Sequence, residues 1–546
     1  MRPHWIGNRT ACALLASAGV IVSAPALRAE DVPPAQALEA EGAQIGEVVI
    51  RGHPVFDPTD PRENNRLYRL ANRLHVPTRE SAVRAQLLFR PGDRFDARQI
   101  EETERNLRTL RFLREPRVRA TRFHDGVVDI EIDTQDVWTM SPGFSFGRSG
   151  GTNSTSFEFE DSNFLGFGKF VQAGVGSDVD RTSTTFEWRD PNVLGSRWQS
   201  GAKFANSTDG GGFELGLVRP FYSLDARWSA GLSALADESV QRRYALGEVV
   251  DGFQRGQREF NVFAGRSSGV HEGAVTRWTA GLHYDAARFS DSALATAPEH
   301  LPQDRVLSYP YVRYEVIHDD FAVGKNHDQI GRTEDLDFGT RYCAELGWSS
   351  PAFGADRSAA IFRAEAHRGL RLEGERHLFL SSSLAGRLGS GQLEDTLLEG
   401  AARYFWPTSQ NTQFYAGLHA EVGHALDGDH DLTLGGDNGL RGYPLQYQAG
   451  SARAVFTLEE RVYTSWSPFN LFRVGGAMFV DVGRTWGPSA VDAPNLGLLE
   501  DVGFGLRLGS TKSSLANVIH IDLAFPLNRD TSIRGVQFLV ETKKSF

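Results

Sequence analysis

Arg441 lies in GGDNGLRGYPLQY (Gly435–Tyr447), among turn-forming glycines and just ahead of strand-like sequence. A guanidinium binds carboxylates through parallel N–H donors, and in a confined space it needs such partners. On a solvated loop it needs none, so its surroundings decide its role. Two stretches, GRSGG at Gly147 and GRSSG at Gly265, match the G-x-S-x-G nucleophile elbow. That elbow needs a strand before it and a helix after it. Both matches sit between strand-like runs, so no catalytic residue is expected. DGDHD (Asp427–Asp431) has the carboxylates to hold a divalent cation, but it lacks the glycine and terminal glutamate of an EF-hand loop. It reads as a solvated loop. The histidines show no HExxH or comparable spacing. Neither a metal nor a cofactor is expected.

The start of the chain, MRPHWIGNRTACALLASAGVIVSAPALRAEDVPP, places Arg2 and Arg9 ahead of an apolar run from Ala11 to Val22. Small residues follow, with cleavage expected after Ala26 or Ala29, so residues 1–29 read as a secretory signal peptide. Cys12 lies in that segment and is not placed as a lipoprotein cysteine would be. Its removal leaves Cys343 alone, without a partner for an intrachain disulfide. No later stretch reaches the roughly 18 apolar residues of a membrane helix. The net charge of −11 argues against a general nucleic-acid binder. A glycine- and phenylalanine-rich chain of negative mean hydropathy fits a secreted β-protein or a transmembrane β-barrel, whose lumen residues lower the average.

Two regions follow. Residues 30–44 read as a linker and residues 45–136 as a small α+β domain. IGEVVIRG (Ile45–Gly52) is strand-like. In NNRLYRLANRLHV, Leu67, Leu70, Ala71 and Leu74 recur at helical spacing. Asp96 is placed to cap ARQIEETERNLRTL, with Gln99 three residues on and Ile100, Leu107 and Leu110 on one face. RVRATRF, the turn His124–Gly126 and VVDIEID then form a hairpin. The order is β-α-α-β-β, with a sheet edge that could be open.

From Val137 onward the helical period is gone, and residues 137–546 read as barrel. In LFRVGGAMFVDVG, Phe472, Val474, Met478, Val480 and Val482 face one way, while Arg473, Gly475, Ala477, Phe479 and Asp481 face the other. DVGFGLRLG and VIHIDLAF alternate likewise, with Arg507, His520 and Asp522 on the polar side. One strand cannot separate a sandwich from a bilayer barrel, because the two invert the same pattern. The unbroken length, the charges and glycines on the polar face, and the aromatic end at Phe546 favour the barrel. DSNFLG (Asp161–Gly166) recurs as DPNVLG (Asp190–Gly195), which suits up-and-down hairpins with tight turns on one side.

With these pieces the chain resembles the outer-membrane assembly barrels of the surface-antigen superfamily. RPGDRFDARQIEETERNLRTLRFL resembles part of a POTRA domain, and FEFEDSNFLGFGKF the first barrel hairpins. GGDNGLRGY, with Gly435, Gly436, Leu440, Arg441, Gly442 and Tyr443, resembles the tip of the sixth extracellular loop. FVDVG, from Phe479 to Gly483, resembles a late strand motif. The resemblance implies a lumen-inserted loop with Arg441 against inward carboxylates. The alternation independently turns Asp481 inward and, in VFTLEERVY, Glu459 and Arg461. Asp481 and Glu459 are therefore the candidate partners.

The resemblance also implies sixteen strands, whereas roughly twenty strand-like runs can be read. The surplus falls between residues 238 and 430 and is ascribed to hairpins outside the wall. Only one POTRA has room, where relatives carry two or more. The implied function is assembly, insertion or translocation of unfolded protein clients in the outer membrane, with possible periplasmic accessory proteins. A passive pore or receptor barrel and a dedicated secretion transporter are the alternatives. The strand ending at Phe546 resembles the signal read by assembly machinery, so deleting that residue is expected to lower outer-membrane levels.

Overall fold

The computed structural model describes residues 32–491, 494–514, 518–528 and 533–543. The expected signal peptide and Phe546 lie outside them.

The N-terminal domain is a three-stranded sheet. Val127–Asp136 is central, parallel to Gln44–His53 on one side and antiparallel to Leu113–His124 on the other. Asp125 and Gly126 both take positive φ, +49° and +77°, the geometry of a tight hairpin turn. The outer side of Leu113–His124 carries no further strand among the described residues, whereas the start of Gln44–His53 also bonds residues 92–95 through its backbone. Helix Ala97–Arg108 is capped by Asp96, whose carboxylate accepts from the Gln99 amide at 3.1 Å. It lays Leu107 into a core with Ile45, Val128, Ile130 and Ile132.

Three features differ from the sequence reading. Residues 30–44 hold a helix, Ala35–Glu41, whose Leu38 is buried in that core. A short helix, Glu80–Arg84, was not expected. Helix Arg66–Leu74 forms, but it buries Tyr68 while Leu67, Leu70 and Leu74 are exposed. Its docking surface is the side that carries Tyr68 and Ala71, so helical spacing found the stripe but not the direction it faces. Expressed alone, residues 32–137 should melt cooperatively by circular dichroism, since the core is built within the domain. A non-cooperative melt would contradict this.

Among the described residues twenty antiparallel strands, from Met140–Ser149 to Gln537–Lys543, close into a barrel. Sixteen is therefore corrected. The nine strands from Trp228–Ala245 to Thr412–His424 all belong to the wall, because each finds ladder partners on both sides. Some run far past the 9–11 residues that cross a bilayer; Glu248–His271 has 24. Two small hairpin sheets lie outside the wall, Phe321–Lys325 with Thr333–Asp337 and Leu432–Leu434 with Gln448–Gly450.

Exposure decides what kind of barrel this is. Met478 is 70% exposed, Leu346 68% and Phe504 51%, whereas Asp481, Asp501, Arg507 and Asp522 are fully buried. The apolar belt faces out and the charges face in, the inverse of a water-soluble sandwich.

The N-terminal domain sits across one end of this barrel and is held by its turns. DSNFLG and DPNVLG make the same turn. The Asn163 amide donates to Asp161 at 2.9 Å and the Asn192 amide to Asp190 at 3.0 Å. Each then binds the domain, Asn163 through Thr78 at 2.8 Å and Asn192 through Gln86 at 2.6 Å. The sequence echo is thus a repeated docking point.

Candidate functional site

The loop between Thr412–His424 and Ala452–Tyr463 enters the lumen from the far end. It folds inward because its apolar residues are buried there. Leu434, Leu440, Tyr443 and Tyr447 pack with Val455 and Leu499. The Tyr443 hydroxyl lies 3.0 Å from the Glu500 carbonyl and 2.9 Å from that of Asn528. Small residues allow the close approach. A Cβ on Gly435 would stand 2.3 Å from the Pro444 carbonyl oxygen, and one on Gly436 2.5 Å from that of Tyr443. A Cβ on Gly442 would stand 2.6 Å from Asp501, and one on Gly483 3.1 Å from Leu434. The Ser149 hydroxyl donates to the Gly436 carbonyl at 2.7 Å, tying the loop to the tip of the first barrel strand.

This packing aims Arg441 into the wall. Its Nε and Nη2 donate to the two Asp481 oxygens at 2.7 and 2.8 Å, a two-pronged pairing, and its Nη1 donates to Glu459 at 2.7 Å. The guanidinium lies 3.4 Å from the centroid of the Phe479 ring. Phe479 is opposite Glu459 in the strand register, so the stacking and the pairing come from one ladder position.

The cluster is larger than the sequence reading made it. Asp501, opposite Asp481 in the next strand, accepts from the Gly442 amide at 2.9 Å. Arg461 donates to Glu459 at 2.9 Å. Arg507 is bonded to Asp522, which lies 4.0 Å from Arg441. Among the described residues three arginines thus face four carboxylates, all buried in the lumen, where removing a cation is costly. Asp501 is on the inward face of the alternation that places Arg507, so a signal for it existed; which inward residues would meet was not visible.

From the domain end, residues 319–339 also enter the lumen. Arg461 donates to the His327 carbonyl at 3.0 Å, and the Tyr463 hydroxyl to that of Asn326 at 2.8 Å. The His327 ring lies 2.9 Å from the His377 ring nitrogen and packs on Phe405, with ring centroids 4.7 Å apart. The same segment binds the N-terminal domain through Arg108 and Asp335 at 2.6 and 2.9 Å. A chain of polar contacts therefore runs from Arg108 through this segment, Arg461 and Glu459 to Arg441.

The remaining motifs are structural. GRSSG lies inside Glu248–His271, and GRSGG spans a strand end and a turn into the next strand. DGDHD is not the solvated loop expected: the Asp429 carboxylate is buried and held by Arg305 at 2.7 and 2.9 Å, and Asp427 is bonded to Arg387.

No family model and no curated protein matches the chain. Among solved structures, BamA from Haemophilus ducreyi lacking POTRA domains 1–3 is 13% identical, covers 91% of this chain and 84% of its own, and gives a TM-score of 0.38. CdiB from Acinetobacter baumannii is 11% identical, with 92% and 74% covered and a TM-score of 0.45. CdiB from Escherichia coli is 12% identical, with 93% and 77% covered and a TM-score of 0.49. Likeness at this level assigns no activity.

Proposed function

We propose that this chain is an outer-membrane barrel that inserts or translocates unfolded polypeptide. Clients would be captured as an added strand at an open edge of the periplasmic sheet and passed to the barrel seam. The observation that carries this reading is the seam itself. Among the described residues the first and last strands share one ladder pair, Arg148 with Val540. The flanking strand pairs have ten and seven. A sheet joined by so little ladder at one place opens there first, and an open edge templates an incoming strand.

A passive pore is the less favoured reading, because residues 319–339 and the Arg441 loop occupy the lumen from both ends. A dedicated secretion transporter would have to displace both. Depletion of the protein distinguishes the three. Broad loss of other outer-membrane proteins supports assembly. Loss of one secreted protein supports dedicated transport. Altered solute permeability with normal assembly supports a pore.

A further inference from the structure

Helix Arg66–Leu74 leaves its leucine stripe uncovered at the edge of the barrel. One side of the helix is docked. Tyr68 stacks on Phe56 with ring centroids 4.1 Å apart, and its hydroxyl bonds the Phe469 carbonyl in the turn between the strands Ala452–Tyr463 and Phe472–Trp486. Asn72 holds both backbone groups of Phe56, at 3.0 and 2.7 Å. At about 100° per residue, Leu67, Leu70 and Leu74 fall within about 60° of one another, beside the docked side. They are 67%, 48% and 58% exposed. Arg66, Arg69 and Arg73 form the next stripe round and are exposed too. The tethering turn itself exposes Trp466 and Phe469.

We propose that this helix is a lipid-binding element, with its leucines in the periplasmic leaflet beside the barrel rim and its arginines on the phosphates of anionic phospholipids. The proposal rests on the reading that the barrel spans a bilayer. Three features favour lipid over a protein partner. The tether fixes the helix to the turn that joins two wall strands. Exposed aromatics on that turn suit a membrane–water interface. An apolar stripe flanked by arginines matches a leaflet of acyl chains under anionic headgroups, with the long arginine stems reaching sideways to phosphate. The contact would hold the periplasmic domain under the strands that lead to the seam.

The test uses the full mature chain in vesicles, with Cys343→Ser and a fluorophore on Leu70→Cys. A reference label goes on Met478→Cys, on the barrel exterior. In vesicles of phosphatidylethanolamine and phosphatidylglycerol, nitroxide lipids should quench both labels. Replacing all three arginines by glutamine, or using phosphatidylcholine alone, should reduce quenching at position 70 several-fold and leave position 478 unchanged. A reference label that is quenched while position 70 responds only to an aqueous quencher overturns the proposal. So does a position 70 shielded from both quenchers, which would mean that protein covers it. If position 478 is not quenched by lipid either, the bilayer reading fails and the proposal with it.

Discussion

Replacing Arg441 by alanine is expected to leave the barrel assembled and to release the loop Gly435–Tyr447 from the lumen. The substitution removes both prongs from Asp481 and one donor from Glu459, whose side chains are fully or almost fully buried. Arg461 still serves Glu459, and the Thr457 hydroxyl still donates to Asp481 at 2.8 Å. Asp481 is then left beside Asp501 with no cation of its own. Stranding a buried charge in this way costs on the order of 3 kcal/mol, concentrated in the loop rather than the wall. The exterior belt is untouched, so heat-modifiable migration on a gel should persist. Protease should cut near Gly439–Tyr447, and function should fall. Arg441→Lys keeps the charge but not the two-pronged geometry or the planar stacking on Phe479, so it should restore protection only in part. Wild-type protease resistance and activity in Arg441→Ala would show that the pairing is dispensable.

Locking the seam should abolish activity without harming the fold. Arg148 and Val540 are directly opposed in an antiparallel ladder, where Cα atoms stand about 4.5–5.5 Å apart, within the reach of a disulfide. With Cys343→Ser, the pair Arg148→Cys and Val540→Cys should cross-link under mild oxidation, giving a barrel of normal abundance that fails to complement depletion. Reductant should restore it. The pair Leu232→Cys and Val262→Cys, opposed in the middle of the wall, is the control and should be active when oxidised. A seam-locked chain with full activity would remove the seam from the mechanism.

The two expectations are linked through the loop, because Ser149 at the tip of the first seam strand holds the Gly436 carbonyl. A loosened loop should therefore weaken the seam's outer end. In Arg441→Ala the seam cysteines should cross-link more slowly than in the wild-type background.

The sequence by itself determined the division into an α+β domain and a barrel, the cap at Asp96, and the side of the wall on which each late residue falls. Those properties are local. A cap spans three residues, and alternation is written along one strand. It also carried the strand count, since roughly twenty runs could be read, and the resemblance pulled the number down to sixteen. Tertiary structure alone decided the rest. Glu459, Asp481, Asp501 and Asp522 stand on four separate strands, and whether they surround one arginine depends on register, which a single strand does not encode. The entry of residues 319–339 into the lumen depends on Arg461, Tyr463 and the domain beyond them, all distant in sequence. The exposed face of helix Arg66–Leu74 was hidden for the same reason. Periodicity gives a stripe of leucines, but only the site where Tyr68 docks fixes which way that stripe points.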